Sequence, residues 1–154
     1  MSDLVPAMPA VSQRVRHLHA QMSLEEKLAQ LVGYWLDQNG SVAPMQSEMS
    51  GHYTRVYGTR PVDPAERAGW LWEEQRRLKR ETRLGIPALV HEESLTGLAA
   101  WKAAAFPSPL AWGATFDPAL IEEAARAIGD SMRELGIHQG LAPVLDVIRD
   151  PRWG

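Results

Sequence analysis

Three ionisable residues, His91, Glu92 and Glu93, directly follow a short apolar segment, residues 86–90. A continuous apolar run of this length is typical of a parallel strand that is buried on both faces. In parallel α/β folds, ligands bind where such strands end, because loops and helix N-termini converge there. A carboxylate at this point is therefore a candidate site residue.

Two further carboxylates, Asp146 and Asp150, lie at the end of a second apolar segment, residues 141–147. Paired carboxylates suit glycoside hydrolysis, in which one residue attacks or activates water and the other supplies a proton. The alternative is structural, with the two aspartates forming salt bridges to Arg149 or Arg152.

Other chemistries have weaker support in the sequence. The chain has no cysteine and no glycine-rich phosphate loop, and Ser94 lacks the surroundings of a nucleophile elbow. His91 and Glu92 are neighbours on the predicted strand and so point to opposite faces, and His138 is remote in sequence. We therefore expect structural histidines and no metal site or cofactor.

Helices that could position these strands begin at recognisable caps. Ser23 and Glu26 form a capping box, and Asp63 and Asp117 each precede a proline in a typical helix start. With their apolar periodicity, these signals predict helices over residues 24–36, 64–84 and 118–135. Residues 38–58 read as a long loop, and residues 98–114 as an apolar segment that packs across the strand ends. Trp70 and Trp72 are expected to be core or half-buried anchors, with sugar-stacking platforms as the alternative.

The order strand, helix, strand predicts an α/β fold with parallel strands joined by a crossover. Two strands alone would leave open edges and uncovered faces. We therefore expect the chain to be part of a larger α/β domain.

Composition excludes several classes of protein. The 154 residues are 45% hydrophobic and 23% charged with a net charge of −3, which is ordinary for a globular protein. The basic residues mix with acidic ones on a predicted helix, so a nucleic-acid surface is not expected. There is no apolar run of membrane-spanning length and no recognisable signal peptide, so we expect a cytoplasmic protein without a membrane partner.

Four blocks of the sequence, in this order, resemble glycoside hydrolase family 3 enzymes of the β-glucosidase and β-xylosidase type. They are residues 22–31, residues 83–87 continuing into 91–97, residues 106–107 with 111–118, and residues 141–147 continuing into 149–154, which end in Asp-Pro-Arg-Trp-Gly. The resemblance implies the first portion of a (β/α)8 TIM-like barrel, incomplete as given. An N-terminal arm over residues 1–22 would precede the barrel portion over residues 23–154.

The resemblance also implies an activity, the hydrolysis of terminal non-reducing β-linked sugars with retention of configuration, and a small carbohydrate as partner. By position, Glu93 would hold sugar hydroxyls in the −1 subsite, with Glu92 as its supporting neighbour. The family's glucosidases usually have Asp at that position, so the longer Glu93 favours a pentose such as xylose. The sequence 95–97 reads Leu-Thr-Gly where the family usually has Leu-His-Gly.

No catalytic residue is assigned, because the nucleophile and the acid/base of the family are expected beyond residue 154. Asp146 and Asp150 are accordingly expected to be structural, and the 154 residues alone to be inactive. The alternative from another class is a non-catalytic sugar-binding or assembly module that uses Glu93 and the tryptophans.

Overall fold

The computed structural model describes residues 11–36, 51–147, 149, 150 and 152, and their four strands form one parallel sheet in the order β1-β2-β3-β4. The elements are α1 (Gln13–Gln21), α2 (Leu24–Gln30), β1 (Gly33–Trp35), β2 (His52–Thr54), α3 (Pro64–Glu81), β3 (Leu89–Glu93), α4 (Pro109–Gly113), α5 (Pro118–Glu134) and β4 (Gln139–Leu141). The predicted α/β class with parallel strands is confirmed.

The predicted helix starts are confirmed by their caps. The Ser23 hydroxyl accepts a hydrogen bond from the Glu26 amide, and the Glu26 carboxylate accepts one from the Ser23 amide. Asp63 and Asp117 each accept two backbone hydrogen bonds from the first turn of the helix that follows. These bonds satisfy amides that have no partner within the helix.

The predicted extent of the first helix is wrong. Helix α2 ends at Gln30, and β1 then runs from Gly33 to Trp35. The apolar residues assigned to the end of that helix therefore belong to the turn and the strand. Helix α1, which the sequence analysis did not expect, lies inside the segment 1–22 taken as an N-terminal arm.

Both predicted strands occur, but their bounds are shifted. Strand β3 extends through Glu93, so His91, Glu92 and Glu93 lie within the strand instead of after it. Strand β4 ends at Leu141, where the second predicted strand was to begin. Strands β1 and β2 were missed, and β2 falls inside the predicted loop 38–58, of which residues 38–50 lie outside the described residues.

The core lies on the helix-facing side of the sheet. Tyr53 and Val90 have no exposed surface there, and they belong to one apolar cluster with residues of α3 and α5. The members contributed by the two helices are Leu71, Leu78, Ile128 and Met132. Burying such side chains stabilises the fold by about 1.5–3 kcal/mol each, which fixes the helices on this face.

The opposite face of the sheet is partly exposed. In register across the four strands it presents Trp35, Thr54, His91 and Gln139, and Glu93 lies beside Leu141 one step further on. Trp35 is 57% exposed. The described chain therefore covers one face of this sheet more completely than the other.

The apolar segment 98–114 was expected to pack across the strand ends, but only part of it is buried. Leu98 is buried, whereas Trp101 and Leu110 are more than half exposed.

Trp70 packs against the core as expected, but Trp72 is 62% exposed and lies under the Arg76 guanidinium. None of the helices in the described ranges is both long and apolar enough to cross a membrane.

Candidate functional site

Strand β3 separates the two candidate glutamates onto opposite faces of the sheet. Burial alternates along the strand, so that Val90 and Glu92 are buried while His91 and Glu93 are partly exposed. This alternation follows from the two-residue period of a strand. The side chain of Glu93 is 34% exposed, and the residue lines a cleft.

The cleft lies at the C-terminal edge of the sheet, where the sequence analysis expected a site. Its volume is about 600 Å³, and it is lined by residues 57–61 on one side and by Glu93 with residues 95–101 on the other. Residues 55–61, which we call the 55–61 loop, follow β2 directly. The volume falls within the range of ligand pockets, roughly 300–1,000 Å³.

A cation from the 55–61 loop pairs with Glu93. Arg55 Nη2 lies 3.5 Å from Glu93 Oε1, and the Arg55 guanidinium carbon lies 5.1 Å from the ring centroid of Trp35. The indole N–H of Trp35 donates to Thr59 Oγ1 at 2.9 Å, which ties β1 to the same loop. Two segments of the chain, β1 and the 55–61 loop, thus meet at the exposed end of β3.

Arg55 adopts a conformation that side chains rarely take. Its φ is 58°, in the left-handed region. For a residue other than glycine this costs roughly 1–2 kcal/mol. The surrounding contacts hold the residue there, and the turn they stabilise directs the guanidinium back toward β3.

Glu92 is fully buried, and its carboxylate binds the backbone of the 55–61 loop from the core side of the sheet. Its Oε1 accepts hydrogen bonds from the amides of Tyr57, at 2.6 Å, and Gly58, at 3.3 Å. Within the described residues, Oε2 has no hydrogen-bond partner. Burial raises the pKa of Glu92, and the two amide donors only partly offset the effect.

The prediction that Glu92 supports Glu93 in substrate binding concerns a residue that the structure buries completely. The residue has no exposed surface through which a sugar could reach it, because the alternation of β3 turns it toward the helices. A supporting role that acts through the 55–61 loop stays a prediction, as does the role of Glu93.

The histidine side chains of the described sheet make structural contacts. His91 lies edge-to-face against His52, with the ring centroids 5.8 Å apart. Burial and the neighbouring His52 lower the pKa of His91. His138 Nδ1 accepts the Val90 amide at 3.0 Å, and the His138 amide donates to the Val90 carbonyl, so this histidine continues the pairing of β3.

The two aspartates after β4 do not join Glu93 in the cleft. Asp150 pairs with Arg152, with 2.8 Å between Oδ2 and Nη2, which confirms one of the two salt bridges expected. Asp146 is exposed and lines a second, mainly apolar hollow beside α4, which adjoins the cleft at Leu95 and Thr96. Neither aspartate is brought into a carboxylate pair with Glu93.

Among the described residues, no three His, Asp or Glu side chains are grouped so that they could hold a metal ion. The described site consists of the Glu93 carboxylate, which lines the cleft, and the Arg55 guanidinium, which pairs with it. The Glu93 carboxylate suits hydrogen bonding to the hydroxyl groups of a polar ligand in the cleft.

Sequence reasoning missed Arg55 and Trp35 as site residues. Arg55 was assigned to a loop, and Trp35 to the end of a helix. The available signal was the run of residues 52–57 between Gly51 and Gly58, whose aromatic and β-branched residues are typical of a short strand.

Comparison with known proteins shows the family. Residues 23–154 match the model of the glycosyl hydrolase family 3 N-terminal domain. The chain is 30% identical to a putative beta-xylosidase of Formosa agariphila over 99% of this chain and 21% of that protein. It is 28% identical to beta-glucosidase C of Emericella nidulans, over 93% of this chain and 25% of that protein.

Solved structures agree with these relatives. The exo-1,3/1,4-beta-glucanase of a Pseudoalteromonas species superposes with a TM-score of 0.81 at 26% identity, covering 97% of this chain and 20% of that one. A beta-glucosidase of Listeria innocua, solved in complex with isofagomine, gives a TM-score of 0.73 at 27% identity, covering 94% of this chain and 19% of that one.

The chain thus spans a fifth to a quarter of the length of these relatives. Its parallel α/β fold is an incomplete portion of the barrel-like domain that the resemblance implied. Its relatives are glycoside hydrolases. With its fold, its motifs and the match over residues 23–154 in agreement, the chain belongs to glycosyl hydrolase family 3.

Proposed function

We propose that this chain supplies the sugar-binding wall of an exo-acting β-glycosidase that releases terminal β-xylose or β-glucose with retention of configuration. The observation that carries the proposal is the position of Glu93, a partly exposed carboxylate at the C-terminal end of β3 that lines the 600 Å³ cleft. The relatives named as a beta-xylosidase and a beta-glucosidase support the two sugars.

Glu93 acts as a hydrogen-bond acceptor for the hydroxyls of the sugar in the −1 subsite. A carboxylate oxygen accepts two such bonds, and a charged acceptor makes them stronger than neutral ones. These contacts hold the ring so that its anomeric carbon faces the nucleophile. In a retaining reaction an Asp or Glu attacks that carbon while a second carboxylic acid protonates the departing oxygen, and water then releases the sugar.

Those two catalytic carboxylates belong, in this proposal, to polypeptide outside residues 1–154. Asp146 and Asp150 are not substitutes for them, because Asp150 is engaged by Arg152 and Asp146 faces a different hollow. The 154 residues alone should accordingly show no turnover of an aryl β-xyloside. Turnover by the purified chain would contradict the assignment of the catalytic pair to other polypeptide.

The preference between the two sugars follows from the length of Glu93. Compared with aspartate, glutamate extends one methylene further into the space that the C6 hydroxymethyl of a glucoside needs, whereas a xyloside has no such group. We expect the intact protein to have a higher kcat/KM for aryl β-xylosides than for aryl β-glucosides, and Glu93→Asp to shift the ratio toward glucosides. One methylene in a pocket changes the discrimination between two substrates by about 1–3 kcal/mol, so we expect the kcat/KM ratio to shift by about tenfold. An unchanged ratio, or a shift toward xylosides, would remove the size argument.

A further inference from the structure

Arg55 is a charged group of this site to which neither the family motifs nor the proposed reaction assigns a role. It pairs with Glu93 at 3.5 Å, it stacks on Trp35 and it occupies a left-handed backbone conformation. Arginine is suited to such a position because its guanidinium can pair with a carboxylate while its flat face lies on an aromatic ring.

The surroundings of Arg55 are arranged to keep it in place. The Trp35 indole is held by its hydrogen bond to Thr59, so the ring under the guanidinium is fixed. The buried Glu92 carboxylate accepts hydrogen bonds from two amides of the 55–61 loop, those of Tyr57 and Gly58. A Cβ atom added to Gly58 would lie 2.9 Å from Glu92 Oε2 and 3.3 Å from Arg55 Nη1, so the glycine leaves room for both groups.

Arg55 does not line the cleft, whereas Glu93 does. A sugar in the cleft would therefore meet the Glu93 carboxylate and not the Arg55 guanidinium. Glu93 Oε1 is the atom nearest the guanidinium in the ion pair, which leaves Oε2 for a ligand. A glutamate side chain has three rotatable bonds, and a partner at one oxygen restricts where the other oxygen points.

We propose that Arg55 is a positioning residue for sugar binding: it holds the Glu93 carboxylate in the orientation that accepts the sugar hydroxyls. This inference rests on the proposed function, in which Glu93 is the sugar ligand. Arg55 contributes through Glu93, so its removal should matter only while the carboxylate is present.

The test is a double-mutant cycle between Arg55 and Glu93 in the intact protein. Arg55→Asn removes the guanidinium, and asparagine is one of the residues that best tolerate the left-handed conformation. We expect kcat/KM for an aryl β-xyloside to fall by about tenfold to a hundredfold in Arg55→Asn, as for a misplaced binding group. In the Glu93→Gln background the same change should alter kcat/KM by less than about threefold, because the residue it positions is already lost.

Two further variants separate positioning from folding. Arg55→Lys keeps the charge and should recover part of the loss, though not all, since lysine lacks the planar fork. Arg76→Gln is the matched control, because Arg76 also lies over a tryptophan, Trp72, and pairs with a glutamate, Glu73, but on the outer surface of α3. We expect the control to retain wild-type kcat/KM. If Arg55→Asn fails to fold, Arg55→Lys carries the cycle.

The outcomes distinguish this inference from the function on which it rests. Equal losses from Arg55→Asn in both backgrounds, in an active protein, would overturn the positioning role and leave the proposed function standing. An inactive protein would overturn the proposed function. For an inactive protein, the cycle is measured as the affinity of each variant for xylose by calorimetry. Coupling between Arg55 and Glu93 in these affinities supports the positioning role. Absence of coupling, or absence of xylose binding, overturns it.

Discussion

Gly58 offers a sharp test of how tightly the 55–61 loop is packed, because its replacement by alanine adds one methyl group at a known position. The new Cβ would lie 2.9 Å from Glu92 Oε2, 3.0 Å from the backbone oxygen of Ala99 and 3.3 Å from Arg55 Nη1. Gly58 is not among the glycines with positive φ, so alanine meets no backbone strain there. Any loss of stability must come from these contacts.

The magnitude follows from two opposing effects. Forcing a methyl group into a packed site costs about 1–3 kcal/mol, and here one neighbour is a backbone atom that cannot rotate away. Alanine also restricts the unfolded chain, which stabilises the folded state by about 0.4–1 kcal/mol. The net expectation for Gly58→Ala is a loss of about 1–2 kcal/mol in the free energy of unfolding, with lower activity because Arg55 is displaced.

The assay is urea-induced unfolding of the intact protein, with Gly69→Ala as the matched control. Gly69 lies within α3, and nothing surrounds its added Cβ within 4 Å. The control should gain about 0.5–1 kcal/mol, because glycine disfavours a helix interior. If Gly58→Ala is as stable as the wild type or gains stability as Gly69→Ala does, the loop is not packed as described and the reasoning fails.

Three further predictions concern stability and its dependence on pH. Burial raises the pKa of Glu92 above its ordinary value of 4.5. The folded state therefore binds the Glu92 proton more tightly than the unfolded chain does. The resulting stability is fully present below pH 4.5 and is lost as the pH rises through the pKa of the folded state. Above pH 4.5, the free energy of unfolding should therefore fall less steeply with rising pH in Glu92→Gln than in the wild type. Urea unfolding at several pH values measures this, and an equal dependence on pH in both proteins would contradict the prediction. Tyr57 donates its hydroxyl to the Leu135 carbonyl at 2.6 Å, so Tyr57→Phe should cost about 1–2 kcal/mol by the same assay, and a change within error would mean that the carbonyl finds another donor. The hydrogen bonds from Arg83 and, second, from the Ser23 amide together lower the pKa of Glu26 from 4.5 to about 2, so they stabilise the fold above pH 4.5 and the effect is lost as the pH falls through about 2. Arg83→Met should thus lower the melting temperature at about pH 7 more than at about pH 2, and an equal loss at both would assign the effect to packing.

The helices were largely predictable because their signals are local. Ser23 with Glu26, Asp63 with Pro64 and Asp117 with Pro118 satisfy helix amides within a few residues of the chain, and each cap is present. The predicted ends were less accurate, since the end of α2 depends on the pairing of β1 with β2.

The short strands were missed for the opposite reason. Strands β1 and β2 have three residues each, too few to show an alternating pattern, and they form only because parallel neighbours supply their hydrogen bonds. The shift of β3 toward Glu93 has the same origin, because pairing with β4 holds His91, Glu92 and Glu93 in the sheet. Pairing between distant segments is invisible to local propensity.

The sequence by itself determined the α/β class and the helix caps, and its motifs marked the stretch around Glu93 as a candidate site. Only the tertiary structure decided that Glu92 and Glu93 have different surroundings, since the register of β3 buries one and leaves the other beside a cleft. The tertiary structure also brought Arg55, 38 positions before Glu93 in the chain, to within 3.5 Å of it. A contact between residues so far apart arises from strand pairing and loop packing, which no local pattern records.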